Sequence, residues 1–242
     1  MTAPVCLISG VGPGTGSALA RKFAEGSYRV ALLARNEGRL AALEKELPNA
    51  KGYRCDVSDP AQVEQAASAV ERDLGIPGVV IHNAVGGAFG TFLEIDPAIL
   101  NRNFQINTMG LLYLARRFAP AMVGAGKGAI IATGNISALR GKPGFAGFAP
   151  TKAAQRILAE AMARDRTEGR ARRLRHCRRR DRPRMDEETL AGPTGRLLHQ
   201  THGDRGRDMA CRASTSQRMV IQCRATAIRR NLVIDKVFLS PT

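Results

Sequence analysis

Eight residues, Ser9-Gly10-Val11-Gly12-Pro13-Gly14-Thr15-Gly16, carry the first chemistry legible in the chain. Glycines at 10, 14 and 16 permit a tight turn and let the backbone come close to a pyrophosphate. The helix expected after them offers unpaired N–H groups and the positive end of its dipole. Such a loop means little alone, because ordinary turns also collect glycine; its place between an apolar run and a helical pattern makes it a nucleotide-binding candidate. Nineteen residues past Gly16 stands Arg35. A site for NAD would place Asp or Glu near this point to hold the ribose 2′-OH, whereas Arg suits the 2′-phosphate of NADP. NADP is therefore the expected cofactor, with NAD as the alternative. The plain reading of Arg35 is a solvated residue opening a helix.

These residues need a frame, and the first 162 residues supply a regular one. Apolar runs alternate with helical spacing, the pattern of a parallel sheet with crossover helices. Val5–Ser9, Tyr28–Ala34, Gly78–Asn83 and Gly128–Thr133 read as strands, and Gly52–Asp56 leads into a polar turn. Their continuous apolar character is that of strands covered on both faces. Helices are expected from about Gly14 to Glu25, over Asn36–Leu47, Pro60–Leu74 and Pro97–Met122, and over Pro150–Arg164. The fold class expected is α/β, a Rossmann-type doubly wound parallel sheet whose C-terminal part is incomplete.

Composition limits the remaining classes. The chain has 242 residues, 44% of them hydrophobic, enough for one sizeable core and too many for a wholly disordered chain. No run of about 18 apolar residues exists, so no membrane span is expected. The N-terminus lacks a basic segment and a cleavage pattern, and the five cysteines have no metal-ligand or CxxC spacing. Reduced thiols in a cytoplasmic protein are expected, with no metal site. The formal charge of +16 is uneven. Residues 1–162 hold 17 basic and 12 acidic residues, against 20 and 9 in residues 163–242.

Several motifs together resemble the short-chain dehydrogenase/reductase family over about residues 4–163. The Ser9-Gly10 pair with Gly14 and Gly16 is similar to its TGxxxGxG loop, in which Gly12 and Thr15 also lie. Asp56-Val57 resembles the pair that contacts adenine, and His82-Asn83-Ala84-Val85 stands where NNAG is usual. Asn107 matches the mid-helix Asn that holds a water near the active-site lysine, and Lys152 matches the lysine of YxxxK. The resemblance implies a nicotinamide dinucleotide held by Ser9, Gly10, Gly12, Gly14, Thr15, Gly16, Arg35, Asp56, Val57, Asn83, Ala84 and Lys152. It also implies oxidation or reduction of a small alcohol or carbonyl.

Two departures bear on that activity. Phe148 stands four residues before Lys152, where the family has its catalytic Tyr, and Asn135 stands where Ser is expected. The Tyr hydroxyl acts as general acid/base in the family, and a Phe ring has no proton to transfer. Such catalysis is commonly worth about 10²–10⁴ in rate, so the usual mechanism is expected to be severely impaired. Asn135 can still polarise a carbonyl through its amide, and Thr133 or Ser137 offers a hydroxyl nearby. A strand-end Asn is otherwise a turn residue bonded to its own backbone. Lys152 retains a binding role toward the nicotinamide ribose, or else is a solvated lysine at a helix start. The segment around Phe148 resembles a subgroup of the family that has Phe at this position and keeps the Lys. A dinucleotide-binding protein without hydride transfer is the competing class.

Residues 166–242 form a second composition, an Arg-rich tail after the dinucleotide-binding domain of residues 1–165. No aromatic residue lies between Phe148 and Phe238. The stretch RTEGRARRLRHCRRRDRPR fits an arm for nucleic acid or anionic lipid, or a solvated tail. A third reading fits better: translation out of frame. Most Arg codons are CGN and, read one base later, begin with G. With permitted codons Arg170–Arg182 then reads as an apolar strand and turn, and Met219–Arg230 as a closing strand. Met185, Met209 and Met219 each precede a residue whose codons begin with G, so each becomes Trp in that frame. Residues beyond about 165 are accordingly expected to be poorly ordered, with the sheet ending at its fifth strand. On this reading the charge indicates no nucleic-acid partner. The helices at 97–122 and 150–164 resemble those that pair subunits in the family, so a homo-oligomer is expected through them.

Overall fold

The computed structural model describes residues 3–164 and the backbone of residues 219–224. Six parallel strands form one sheet: β1 (Val5–Ser9), β2 (Arg29–Ala34), β3 (Ala50–Arg54), β4 (Val79–His82), β5 (Ala129–Gly134) and β6 (Met219–Arg224). Their spatial order is β3-β2-β1-β4-β5-β6, so the direction of winding reverses between β1 and β4. That reversal opens a crevice at the carboxyl ends of the strands, where open α/β sheets bind their ligands.

Local sequence accounts for most of the helices. Helix α1 (Thr15–Glu25) follows the glycine loop and buries Leu19, Ala20 and Phe23. Helix α2 (Glu37–Glu46) is capped by the Asn36 side chain, which accepts from Arg39 N at 2.8 Å. Helices α3 (Pro60–Leu74) and α4 (Pro97–Phe104) each begin with Pro after a capping Asp, Asp59 and Asp96 respectively. Proline at the first helical position loses no hydrogen bond there, and the carboxylates accept otherwise unpaired backbone N–H groups. Helices α5 (Gly110–Gly124) and α6 (Ala149–Arg164) complete the covering layers.

Among the described residues, helices cover both faces of the sheet. Leu7, Leu33, Val80 and Ile130 point to one side, against α3, α5 and α6, around the fully buried Phe118. Ile8, Val30, Leu32 and Ile81 point to the other, against α1 and α2. The alternation of side chains along each strand divides them this way. Cys6 and Cys55 are free and buried. Among the described residues, no helix is long and apolar enough to cross a membrane.

Two expectations need correction. The helix expected over 97–122 is interrupted by a π-helical turn at Gln105–Met109, which turns the Asn107 side chain into the interior. The sheet does not end at its fifth strand: β6 pairs with β5 in parallel, from Ala129 opposite Met219 to Gly134 opposite Arg224. The physical reason is that an uncovered β5 would present a row of unpaired N–H and C=O groups. The short run MVIQCR supplies their partners. The Arg-rich stretch 170–182 lies outside the described residues.

Candidate functional site

The glycine loop is built by two close approaches. Gly10 has φ +79°, and a Cβ there would strike the backbone of Ala84, while one at Gly16 would strike the Gly10 carbonyl. Only glycine meets both demands, a left-handed turn and a backbone against a backbone. The loop is tied to β2 by Gly10 N donating to Leu33 O at 2.9 Å, and Asn83 Nδ2 donates to Gly10 O at 2.8 Å. Gly12 and Gly14 differ: a Cβ on either would meet nothing within 4 Å. They leave space in front of α1, which begins with no side-chain cap. The loop therefore faces that space with backbone donors and a helix dipole.

In front of it lies a cleft of about 910 Å³ across the ends of β1, β2, β4 and β5. Gly10, Gly12, Thr15, Gly16, Arg35, Asp56, Val57, Asn83, Ala84, Asn135, Phe148 and Lys152 all line it. Two expected binding residues do not. Ser9 is fully buried, with its hydroxyl 3.0 Å from His82 Nδ1, and Gly14 is exposed beside the cleft. Asn83 acts on the loop itself through its bond to Gly10.

At one end of the cleft Arg35 is 63% exposed, with Nη1 3.8 Å from Asp56 Oδ2. Burial pushes the Asp56 carboxyl up, but hydrogen bonds from Ser58 N and Oγ, with the charge of Arg35, outweigh it and leave the pKa lowered. Asp56 is therefore a fixed anion, and Arg35 rests loosely on it. Arg39, which the reading of the sequence missed, lines the same end. Its signal was present: it lies four residues on from Arg35, on the turn of helix that Asn36 caps.

The other end holds the remaining expected residues. Lys152 is 3% exposed, and its ammonium donates to Thr133 O at 3.1 Å and to Gln155 Oε1 at 2.7 Å. It is not a solvated lysine, and burial lowers its pKa to about 8. Phe148 is 7% exposed, and its ring lies 5.9 Å from that of Phe89 and 6.5 Å from that of Phe145. Asn135 Oδ1 accepts from Ser137 N at 2.9 Å and from Ser137 Oγ at 2.7 Å. The turn reading of Asn135 is the one observed, with its oxygen capping residues 136–138; its NH₂ is the part left to act as a donor. The Ser137 hydroxyl is spent on Asn135.

Asn107 is fully buried and does not line the cleft. Its side chain accepts from Gly86 N at 2.9 Å and donates to Gly86 O and to Thr151 Oγ1, each at 2.7 Å. It ties the loop after β4 to the first turn of α6, which carries Lys152 and directly follows Phe148. Asn103, also missed, assists by donating to Gly147 O at 2.8 Å. His82 fills the β4 position preceding Asn83, fully buried, with its pKa lowered to about 3 by burial and then by the charge of Lys152.

A dinucleotide fits this cleft on the structure's own terms. Open space lies over Gly12 and Gly14, an uncapped helix faces it, and cationic side chains stand at both ends. Comparison with known proteins leads to the same class. Residues 4–171 match the family model for short chain dehydrogenase, and the chain belongs to that family. A short-chain type dehydrogenase/reductase of Sinorhizobium fredii is 35% identical over 159 residues, covering 63% of each chain. The chain spans about half of the bovine and human short-chain dehydrogenase/reductase 3, at 53% of their length. Among solved structures, a metagenomic short-chain oxidoreductase in complex with NADP superposes with a TM-score of 0.64 at 29% identity. That match covers 67% of this chain and 76% of the other. A short chain dehydrogenase/reductase from Burkholderia phymatum in complex with NAD gives 0.64 at 30% identity, covering 67% and 59%.

Proposed function

We propose that this chain binds a nicotinamide dinucleotide, NADP in preference to NAD, and acts as an oxidoreductase on a small carbonyl or alcohol. The carrying observation is the single cleft that joins the glycine loop, the Arg35 and Arg39 pair, and the buried Lys152. Similar proteins are in complex with NADP in one structure and NAD in another, which supports the dinucleotide. The preference rests on Arg35 and Arg39, whose guanidinium groups suit a 2′-phosphate where a carboxylate would suit a hydroxyl.

In this reading the backbone donors after Gly12 hold the pyrophosphate, Asp56 and Val57 flank the adenine, and Lys152 holds the nicotinamide ribose. The dinucleotide, when bound, supplies hydride chemistry. The chain's own part at the reacting end is a donor NH₂ on Asn135 and a proton on Lys152 Nζ, beside a Phe148 ring that contributes neither. Phe148 is also the observation that favours a second reading, a dinucleotide-binding protein without turnover. Fluorescence titration with NADPH and NADH, followed by a carbonyl screen at fixed NADPH, separates the two. Binding with no turnover of any carbonyl selects the second, and no binding of either dinucleotide overturns both.

Two further readings belong with this one. The exposed Ile99 of α4 and Ile157 of α6 make these helices the expected contacts between copies, to be checked by light scattering. The basic stretch after residue 165 is read as an out-of-frame product rather than a nucleic-acid arm. An arm would give DNA binding with a steep salt dependence that vanishes on deleting residues 166–242.

A further inference from the structure

The position three residues after the active-site lysine carries a side chain that the proposed function leaves unexplained. Gln155 lies on α6 at 1% exposure, and its Oε1 accepts from Lys152 Nζ at 2.7 Å. Among the described residues its Nε2 is buried without a partner. An orphaned amide donor is unfavourable, and an apolar residue of similar size would avoid it. What an apolar residue lacks is the oxygen on the lysine. Among the described residues, the only other acceptor on the ammonium is a backbone carbonyl, Thr133 O.

We propose that Gln155 is a positioning residue for Lys152: it holds the buried ammonium from one helical turn away and turns its remaining N–H toward the cleft. A lysine ammonium has three donors. Thr133 O and Gln155 Oε1 take two, and Lys152 lines the cleft in which the third is left free. The proposal rests on the dinucleotide reading for what meets that N–H, the ribose hydroxyls beside the nicotinamide. Positions three apart on a helix face each other, so α6 itself sets the geometry.

Gln155 also affects the charge of Lys152. Burial lowers the Lys152 pKa to about 8, and a hydrogen-bond acceptor favours the charged form against that burial. Among the described residues the surroundings offer little other help. His82 on β4 is coupled to Lys152 but is neutral. β5, the π-helical turn and the turn 136–138 carry no charged side chains. Among other elements packed on α6, α4 brings Arg102, and β6 brings Cys223 and Arg224 opposite Thr133 and Gly134. Glu160 on α6 itself is paired with Arg156 and Arg164.

The test uses the full chain, labelled with ¹³C-lysine, in the wild type and in Gln155→Leu, Gln155→Met and Gln155→Glu. The Lys152 signal is identified by its loss in Lys152→Arg. The Leu and Met variants are expected to lower the Lys152 titration midpoint by about one pH unit, tenfold in acidity. Gln155→Glu is expected to raise it. NADPH affinity is expected to be about fivefold weaker than wild type at pH 8 in Gln155→Leu and to converge with wild type near pH 6, where Lys152 is charged in both. A purely structural loss would not converge. An unmoved midpoint in folded variants overturns the assignment to Gln155. Failure of the wild type to bind either dinucleotide overturns the dinucleotide reading instead, and the lysine titration still decides whether Gln155 sets the charge of Lys152.

Discussion

Removing the two arginines at the adenine end of the cleft should change the choice of cofactor and leave the affinity for its unphosphorylated form alone. Arg35 is 63% exposed and its ion pair with Asp56 is long, at 3.8 Å, so it acts in nearly water-like surroundings. There a pair of unit charges about 4 Å apart is worth about 1 kcal/mol. A phosphate monoester carries about −1.5 to −2 charges at neutral pH, so each arginine should contribute roughly tenfold to NADPH affinity. Competition from Asp56 reduces the value for Arg35, and added salt reduces both. The assay is fluorescence titration of NADPH and NADH against wild type, Arg35→Ala, Arg39→Ala and the double variant, at two salt concentrations. NADPH should weaken about tenfold per substitution at low salt, and NADH by less than about twofold. If NADPH and NADH weaken together, the arginines support the fold of the cleft and do not read a 2′-phosphate. If wild type prefers NADH, the argument from Arg35 is wrong from the start.

Other expectations can be checked as directly. Phe148→Tyr places a hydroxyl on the cleft wall near Lys152, and NADPH-dependent carbonyl reduction should rise by about 10²–10⁴; unchanged turnover with intact NADPH binding would count against the family mechanism here. His82 titrates at about 3 in the folded chain against an ordinary value of 6.5, so the unfolded chain binds more protons between these values. Stability should therefore fall as pH drops through that window, by up to about 1.4 kcal/mol per pH unit, and denaturant unfolding should show a shallower acid slope in His82→Asn. For the tail, the coding DNA read one base later from about codon 165 should give an apolar strand over positions 170–182; a frame with no such strand would end that reading.

How much was legible depended on how far apart the cooperating residues lie. Helix α3 begins and ends where its residues predict, because Asp59, Pro60 and the apolar spacing after them act within a few positions. The glycine loop was legible for a related reason: strand, turn and helix occur in one short stretch. The clasp formed by Asn107 was not, since its partners Gly86 and Thr151 lie 21 and 44 residues away. The resemblance marked Asn107 and implied a water held near Lys152; the structure shows its side chain bonded to Gly86 and Thr151. Ser9 shows the same limit. Its type suited a phosphate-binding loop, and its direction along β1 pointed it instead at His82.

Residue order was enough to give the alternation of strands and helices, the glycine loop, the basic residue at 35 and the absence of a tyrosine at position 148. Those follow from local spacing and residue type. Tertiary structure alone decided which polar side chains face the cleft and which are spent inside it. Asn135 gives its oxygen to Ser137, and Lys152 is buried and held by Gln155. A buried ammonium depends on acceptors that other elements bring to it, and these come together only when α6 packs on β5.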